Sequence, residues 1–553
     1  MTTDWQFVIC DALEKVYPDA DPRPRADDVG LSVTLGEPAS FQLAYRPPFD
    51  GSLRDPRPLH LDVVGDSADL VEVRRVDLVP CELPAFPGHD DGYDRDAPGL
   101  YPDVLVPLNG GELWPLFGSW RAVWLDLLVD DDSRTGIHTI TIVVSDDEGR
   151  ERFREDVVVR VLGVRLPELD IVNSHWLHVD AVADHYRVPV FSEAHWELLE
   201  RFVESAAGMG VNSLLAPVWT PPLDTGIGHY RTPVQLVDVE ETSAGEYRFG
   251  FGKLARWLEL CRRNGVKGVE VAHLFTQWGA EFTPAIYARR DGETVRLFGW
   301  EVSATDPRYR RFLEQLLPAL VNVLDDEVEP GKVVFHVSDE PHGRVQLENY
   351  LAAKSVVTDL LEGRRIVDAL SDFAYYSSGA VPVPVVATDA IEPFLADRPD
   401  ELWAYYCVSQ ERDVANRFFA LPSARNRVLG HQLFAFGIDG FLHWGFNFYY
   451  SWHSLRLVDP FRDTTAGGAF PGGDPFVVYP GEDGHPLPSI RYRVFAQAMA
   501  DHRAMQALRD RDGIEAVLEL IDPDGGLRFD RFSVDPVHYL RVREAINARL
   551  VEG

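Results

Sequence analysis

Residues Ser338-Asp339-Glu340-Pro341-His342 set two carboxyl groups side by side, directly after the apolar run Val333-Val334-Phe335. The run reads as a buried strand, so the acidic pair falls where side chains are desolvated. Two buried neighbouring carboxyls cannot both ionise cheaply, and one proton stays on the pair near neutral pH. A carboxyl that keeps its proton is the general acid that glycosidic cleavage requires. Successive strand residues point to opposite faces. Pro341 ends the ladder, and the frayed strand end lets both side chains reach one site.

A conventional retaining pair stands about 5–5.5 Å apart across the scissile bond, a placement that adjacent residues reach poorly. They suit the substrate-assisted route better, in which the sugar's own 2-acetamido oxygen attacks the anomeric carbon. One carboxylate then steadies the acetamido N–H and the developing oxazolinium, while the other protonates the leaving oxygen. Aromatic and polar residues gather at the ends of this and the other apolar runs: His178, Trp219, Gln277, Trp278, His342, Asp372, Tyr375, Tyr405, Trp444 and Asn447. Tryptophan and tyrosine combine an apolar face with a polar handle, which matches the C–H faces and hydroxyls of a sugar ring. This set is the candidate binding site for a small-molecule or oligosaccharide substrate.

The elements that must position these groups fall into three stretches. Residues 1–167 alternate apolar and polar positions in short segments such as "SVTLGEPASFQLAYRP", which predicts an N-terminal antiparallel β-sandwich domain. From 168 to 510 strand-like runs alternate with amphipathic helices. Eight such runs, opening with "IVNSHWLHVD" and closing with "GFLHWGF", predict a (β/α)8 TIM-type barrel of α/β class. That fold places chemistry at the C-terminal strand ends, where the candidate residues lie. Residues 511–553 read as a short C-terminal helical segment. No glycine-rich phosphate loop follows any run, which argues against a doubly wound nucleotide-binding sheet.

At 553 residues the chain exceeds one ordinary core. Its 45% hydrophobic and 25% charged residues match a globular protein. The net charge of −35 repels nucleic acid and anionic membranes and favours neutral or cationic ligands. Cys10, Cys81, Cys261 and Cys407 are too scattered for a disulfide framework or a zinc site. His175 and His178, three apart on one strand, point to opposite faces, so no strand-borne metal pair is expected, and no cofactor. No run of about 18 apolar residues and no basic-then-apolar leader is present, so a cytoplasmic location is expected.

Taken together, "YPDVLVPL", "SDEPH", "TQWGAEF", "GFLHWGFNF" and "YPGEDGHPLPSIR" resemble the glycoside-hydrolase-like family catalogued as domain of unknown function 4091. That group is similar to glycoside hydrolase family 123, whose characterised activity is β-N-acetylgalactosaminidase. The likeness runs over nearly the whole chain. It implies retaining hydrolysis of β-linked N-acetylhexosaminides, N-acetylgalactosamine favoured, with Asp339 orienting the acetamido group and Glu340 as general acid/base. Two other readings stay open: a non-catalytic carbohydrate-binding protein, and a glycosidase for sugars lacking a 2-acetamido group. Asp372 is the first candidate nucleophile for the latter.

Overall fold

The computed structural model describes residues 4–48 and 57–552. The chain forms two compact units: Met1–Asp170 with Ala415–Ala435 and Leu487–Gly553, and Ile171–Val414 with Phe436–Pro486.

The first unit is rich in sheet. One five-stranded sheet joins, in order, Gln6–Asp11, Ala39–Arg46, Arg121–Leu127, Val71–Cys81 and Gly99–Pro107. A second joins Ser32–Leu35, Glu151–Arg165, Gly136–Ser145, Leu59–Val64 and Glu112–Leu113. Pairing is antiparallel except for Ser32–Leu35, which runs parallel to its neighbour. The two-residue period of the sequence sends Phe41, Leu43 and Tyr45 of one sheet and Ile140, Ile142 and Val144 of the other into one apolar core.

Helices Ile490–Asp512, Ile514–Ile521 and Pro536–Val551 belong to the same unit. Ser489 caps the first of them by accepting the Tyr492 N–H at 3.0 Å. Buried Asp501 is held between the guanidinium groups of Arg427 (2.8 Å) and Arg543 (3.1 Å). Gly430 packs against this helix so closely that a Cβ would lie 2.0 Å from the Ala498 carbonyl oxygen.

The second unit is built on eight parallel strands: β1 (Val172–His175), β2 (Ser213–Ala216), β3 (Gly268–Val271), β4 (Val333–Phe335), β5 (Val367–Leu370), β6 (Val383–Ala387), β7 (Trp403–Tyr405) and β8 (Gly440–His443). Their order is β4-β3-β2-β1-β8-β7-β6-β5. A single parallel bridge, Phe335 to Ile366, nearly closes the ring between β4 and β5. All eight strands stand where the apolar runs predict them.

The helices depart from regular alternation. Glu193–Gly208, Gly252–Arg263, Pro307–Glu327 and Gly343–Ser355 are substantial. After β5 and β6 there are only the short helices Ala374–Ser377 and Glu392–Ala396, and residues 415–435, between β7 and β8, belong to the first unit. The segment "SDFAYYSSG" is too short and too Ser/Gly-rich to carry a longer helix. The chain between β2 and β4 also holds a four-stranded sheet of Asp238–Ser243, Glu246–Gly250, Ile286–Arg290 and Glu293–Phe298, which the sequence reading passes over.

Candidate active site

The acidic pair lies beyond the last ladder residue of β4, and its backbone is pinned from several sides. Asp368 Oδ1 accepts the N–H groups of Val337 (2.9 Å) and Ser338 (3.2 Å), and Tyr350 donates its hydroxyl to Asp368 Oδ2 at 2.6 Å. The Asp339 carbonyl accepts the Trp278 N–H (2.9 Å), and the Glu340 N–H donates to the Ala369 carbonyl (3.1 Å). Glu340 has φ 43°, the left-handed region, which a non-glycine residue enters only under constraint. This turn replaces strand alternation and brings both carboxyls into the wall of one cavity.

That cavity has a volume of about 250 Å³. Trp176, Gln277, Trp278, Tyr405 and Trp444 line it with the acidic pair, and so do Asp224, Cys407, Trp452 and Phe470. Each follows a barrel strand in the chain or ends one. Apolar rings thus surround a small number of polar groups, the composition of a small-ligand site. Trp278 and Trp452 remain 38% and 49% exposed, which puts them at the rim, while Trp176 is buried and donates Nε1–H to Glu270 at 2.9 Å.

Electrostatics separate the two carboxyls. Asp339 is held well above the ordinary aspartate range, first by burial and then by the charges of Glu340 and Asp368. Among the described residues nothing donates a hydrogen bond to its carboxyl. Glu340 is also pushed up by burial, but Tyr405 donates its hydroxyl to Oε1 at 2.7 Å and the Cys407 thiol lies 3.8 Å from the same oxygen. Glu340 is therefore the better-supported anion of the two, and Asp339 the one held further toward its protonated form.

A third acid, Asp224, reaches the cavity from the segment after β2, and burial pushes it up to about 7. Asp368, below the pair, is likewise pushed up to about 7 by burial. Further into the barrel, Glu270 is held below the glutamate range despite burial by contacts with His336 (3.1 Å) and Trp176.

The other sequence candidates serve the walls and do not line the cavity. His178 is buried, receives a hydrogen bond from Arg231 (2.9 Å) and is pushed down to about 3 by burial and that guanidinium. Asn447 brackets the His178 backbone by accepting its N–H at 2.8 Å. Trp219 donates Nε1–H to the His273 carbonyl (2.9 Å), and Tyr375 its hydroxyl to the Gly343 carbonyl (3.0 Å). Asp372 accepts the Ala374 N–H (3.0 Å), and His342 is an exposed residue at the start of helix Gly343–Ser355. Among the described residues no cluster of three His, Cys, Asp or Glu side chains is arranged to hold a metal ion.

Residues 176–508 match the family model "Glycoside hydrolase 123, catalytic domain". The chain belongs to glycoside hydrolase family 123. It is a glycoside hydrolase. Over 99% of both chains it superposes on a family 123 glycoside hydrolase from Clostridium perfringens, with a TM-score of 0.74 at 14% identity. Two further likenesses are slight. A Parabacteroides merdae β-glucuronidase gives TM-score 0.31 and 12% identity over 85% of this chain and 52% of that one. An endo-β-1,4-mannanase from Thermotoga petrophila gives 0.34 and 10% over 61% and 77%. No curated protein matches the sequence. Among the described residues no helix of this family 123 protein is long and apolar enough to cross a membrane.

Proposed function

We propose that this family 123 protein is a retaining β-N-acetylhexosaminidase that favours N-acetylgalactosaminides and works by substrate assistance. Within the stretch 168–510 proposed as catalytic, the eight-stranded irregular (β/α)8 barrel carries the chemistry; residues 1–167 precede it in the chain and the tail 511–553 follows. The observation that carries the reading is the left-handed turn at Glu340, which puts two adjacent, proton-sharing carboxyls in one aromatic-walled cavity. At about 250 Å³ the cavity is below the range of about 300–1,000 Å³ of drug-sized ligand sites, and suits one sugar ring.

Asp339, whose carboxyl receives no hydrogen bond from the described residues, accepts the substrate's acetamido N–H. That hydrogen bond favours its ionised form, and the shared proton passes to Glu340. The acetamido oxygen then attacks the anomeric carbon; its new bond forms as the glycosidic C–O bond breaks and Glu340 gives its proton to the departing oxygen. Asp339 as carboxylate faces the oxazolinium N–H, an electrostatic contact made stronger by the apolar walls. Water next adds to the anomeric carbon, Glu340 takes the water's proton, and the acetamido group is released with configuration retained.

The non-assisted alternative requires an ionised carboxylate nucleophile. Asp372 is outside the cavity lining, and burial works against the ionised form of Asp224. The Clostridium perfringens relative is described as hydrolysing glycolipid glycans, and a terminal N-acetylhexosamine of a glycan is the group proposed for this cavity. A cytoplasmic setting is proposed on the four buried cysteines, none of which forms a disulfide.

The test is hydrolysis of aryl 2-acetamido-2-deoxy-β-galactosides and glucosides by the wild type, Glu340→Gln and Asp339→Asn. Each substitution is expected to lower kcat by about 10²–10⁴-fold. Equal, negligible rates in all three proteins would favour carbohydrate binding without turnover.

A further inference from the structure

We propose that Asp224 and Gln277 are the specificity determinants of this pocket, reading the hydroxyl groups of the sugar ring remote from the anomeric carbon. The inference rests on the hexosaminide reading above and adds the residues that choose among hexosamines.

Once Asp339, Glu340, Tyr405 and Cys407 are assigned to the reacting end, the remaining lining is largely apolar, and Asp224 and Gln277 stand out in it. Asp224 is 8% exposed and sits in the left-handed region at φ 40°. Two residues of the loop after β8 hold it there. The His453 N–H donates to Asp224 Oδ2 at 3.0 Å, and the Ser454 hydroxyl donates to the Asp224 carbonyl at 2.6 Å. His453 and Ser454 are themselves left-handed, at φ 59° and 55°. Three constrained residues at one loop junction therefore fix a carboxyl in the cavity wall, the kind of strain that concentrates at ligand sites.

No side chain among the described residues donates to that carboxyl. The nearby guanidinium of Arg231 is committed to Asp180 (2.6 and 2.7 Å), to His178 and to the Leu223 carbonyl. Gln277, 9% exposed and arriving after β3, lines the same cavity with its Oε1 buried and without a hydrogen-bond partner. An orphaned buried amide oxygen costs about 1–3 kcal/mol, which a ligand O–H donor restores. A hexosamine held by its anomeric carbon and its acetamido group has hydroxyls left to offer both side chains. Sites built to bond a hydroxyl reject analogues lacking it far more strongly than apolar pockets do.

The experiment uses calorimetric binding of N-acetylgalactosamine, N-acetylglucosamine, their 4-deoxy and 6-deoxy analogues, and galactose, to the wild type, Asp224→Asn and Gln277→Leu. The account expects each variant to lose about 10-fold in affinity for a parent sugar, and little for the deoxy analogue missing the hydroxyl that residue reads. Equal losses on parents and analogues indicate a merely structural role and overturn the proposal. So do unchanged affinities, or a wild type that binds none of the sugars. Wild-type turnover of the aryl 2-acetamido glycosides is measured alongside. Turnover without the deoxy pattern sinks this inference alone. The deoxy pattern without turnover sinks the hexosaminidase reading and leaves this one standing.

Discussion

At the scale of single residues, function is set against stability at Asp339. The side chain is 7% exposed, lacks a hydrogen-bond donor among the described residues, and faces the charges of Glu340 and Asp368. Its folded pKa is raised, so the native state binds its proton more tightly than the unfolded chain does. The associated stability is fully present below the unfolded value near 3.9 and is lost as pH rises through the folded value. Asparagine removes that slope. Asp339→Asn should therefore unfold about 1–2 °C higher than wild type at pH 8 for each kcal/mol of repulsion relieved, with the gain shrinking toward pH 5. Paired thermal scans at the two pH values check this, and a lower midpoint at pH 8 would contradict it. The adjacency of the two acids was legible in the sequence. The difference between their surroundings was not, because it depends on Tyr405 and Cys407, brought to Glu340 from β7 and the segment after it.

At the scale of elements, the strands were easier to read than the helices. Each apolar run is short, bounded and buried on both faces, and its position survives in the chain without help from neighbours. Helices depend more on partners. The stretch 424–438 carries a helical pattern, yet it forms two short helices, Ser423–Arg427 and Leu429–Ala435, packed in the first unit. The second of them meets helix Ile490–Asp512 backbone to backbone at Gly430. Gly430→Ala should destabilise the protein by about 1–3 kcal/mol through overpacking, read from urea denaturation. Unchanged stability would show that the two helices separate without cost. The insertion strands between β2 and β4 were missed for a related reason. "DVEETSAGEYRFG" alternates, but its polar character resembles a loop until Ile286–Arg290 pairs with it.

At the scale of the whole molecule, the net charge of −35 and the aromatic cavity point the same way, toward a neutral ligand. The barrel rule puts the candidate site at the strand ends, and the residues lining the cavity follow or end barrel strands. It did not reveal Asp224, whose position depends on His453 and Ser454; Ser454 lies 230 residues away in the chain. Such loop-to-loop contacts leave no periodic trace in a sequence. What the chain does as a whole depends on whether the substrate brings its own nucleophile. The most direct measurement is kcat/KM across aryl β-galactosaminides whose 2-acetamido group is replaced stepwise by mono-, di- and trifluoroacetamido groups. Fluorine weakens the carbonyl oxygen as a nucleophile, so the account predicts a steep, monotonic fall across the series and poor cleavage of the 2-hydroxy glycoside. A flat series, or a 2-hydroxy glycoside cleaved as fast as the acetamido parent, would contradict it.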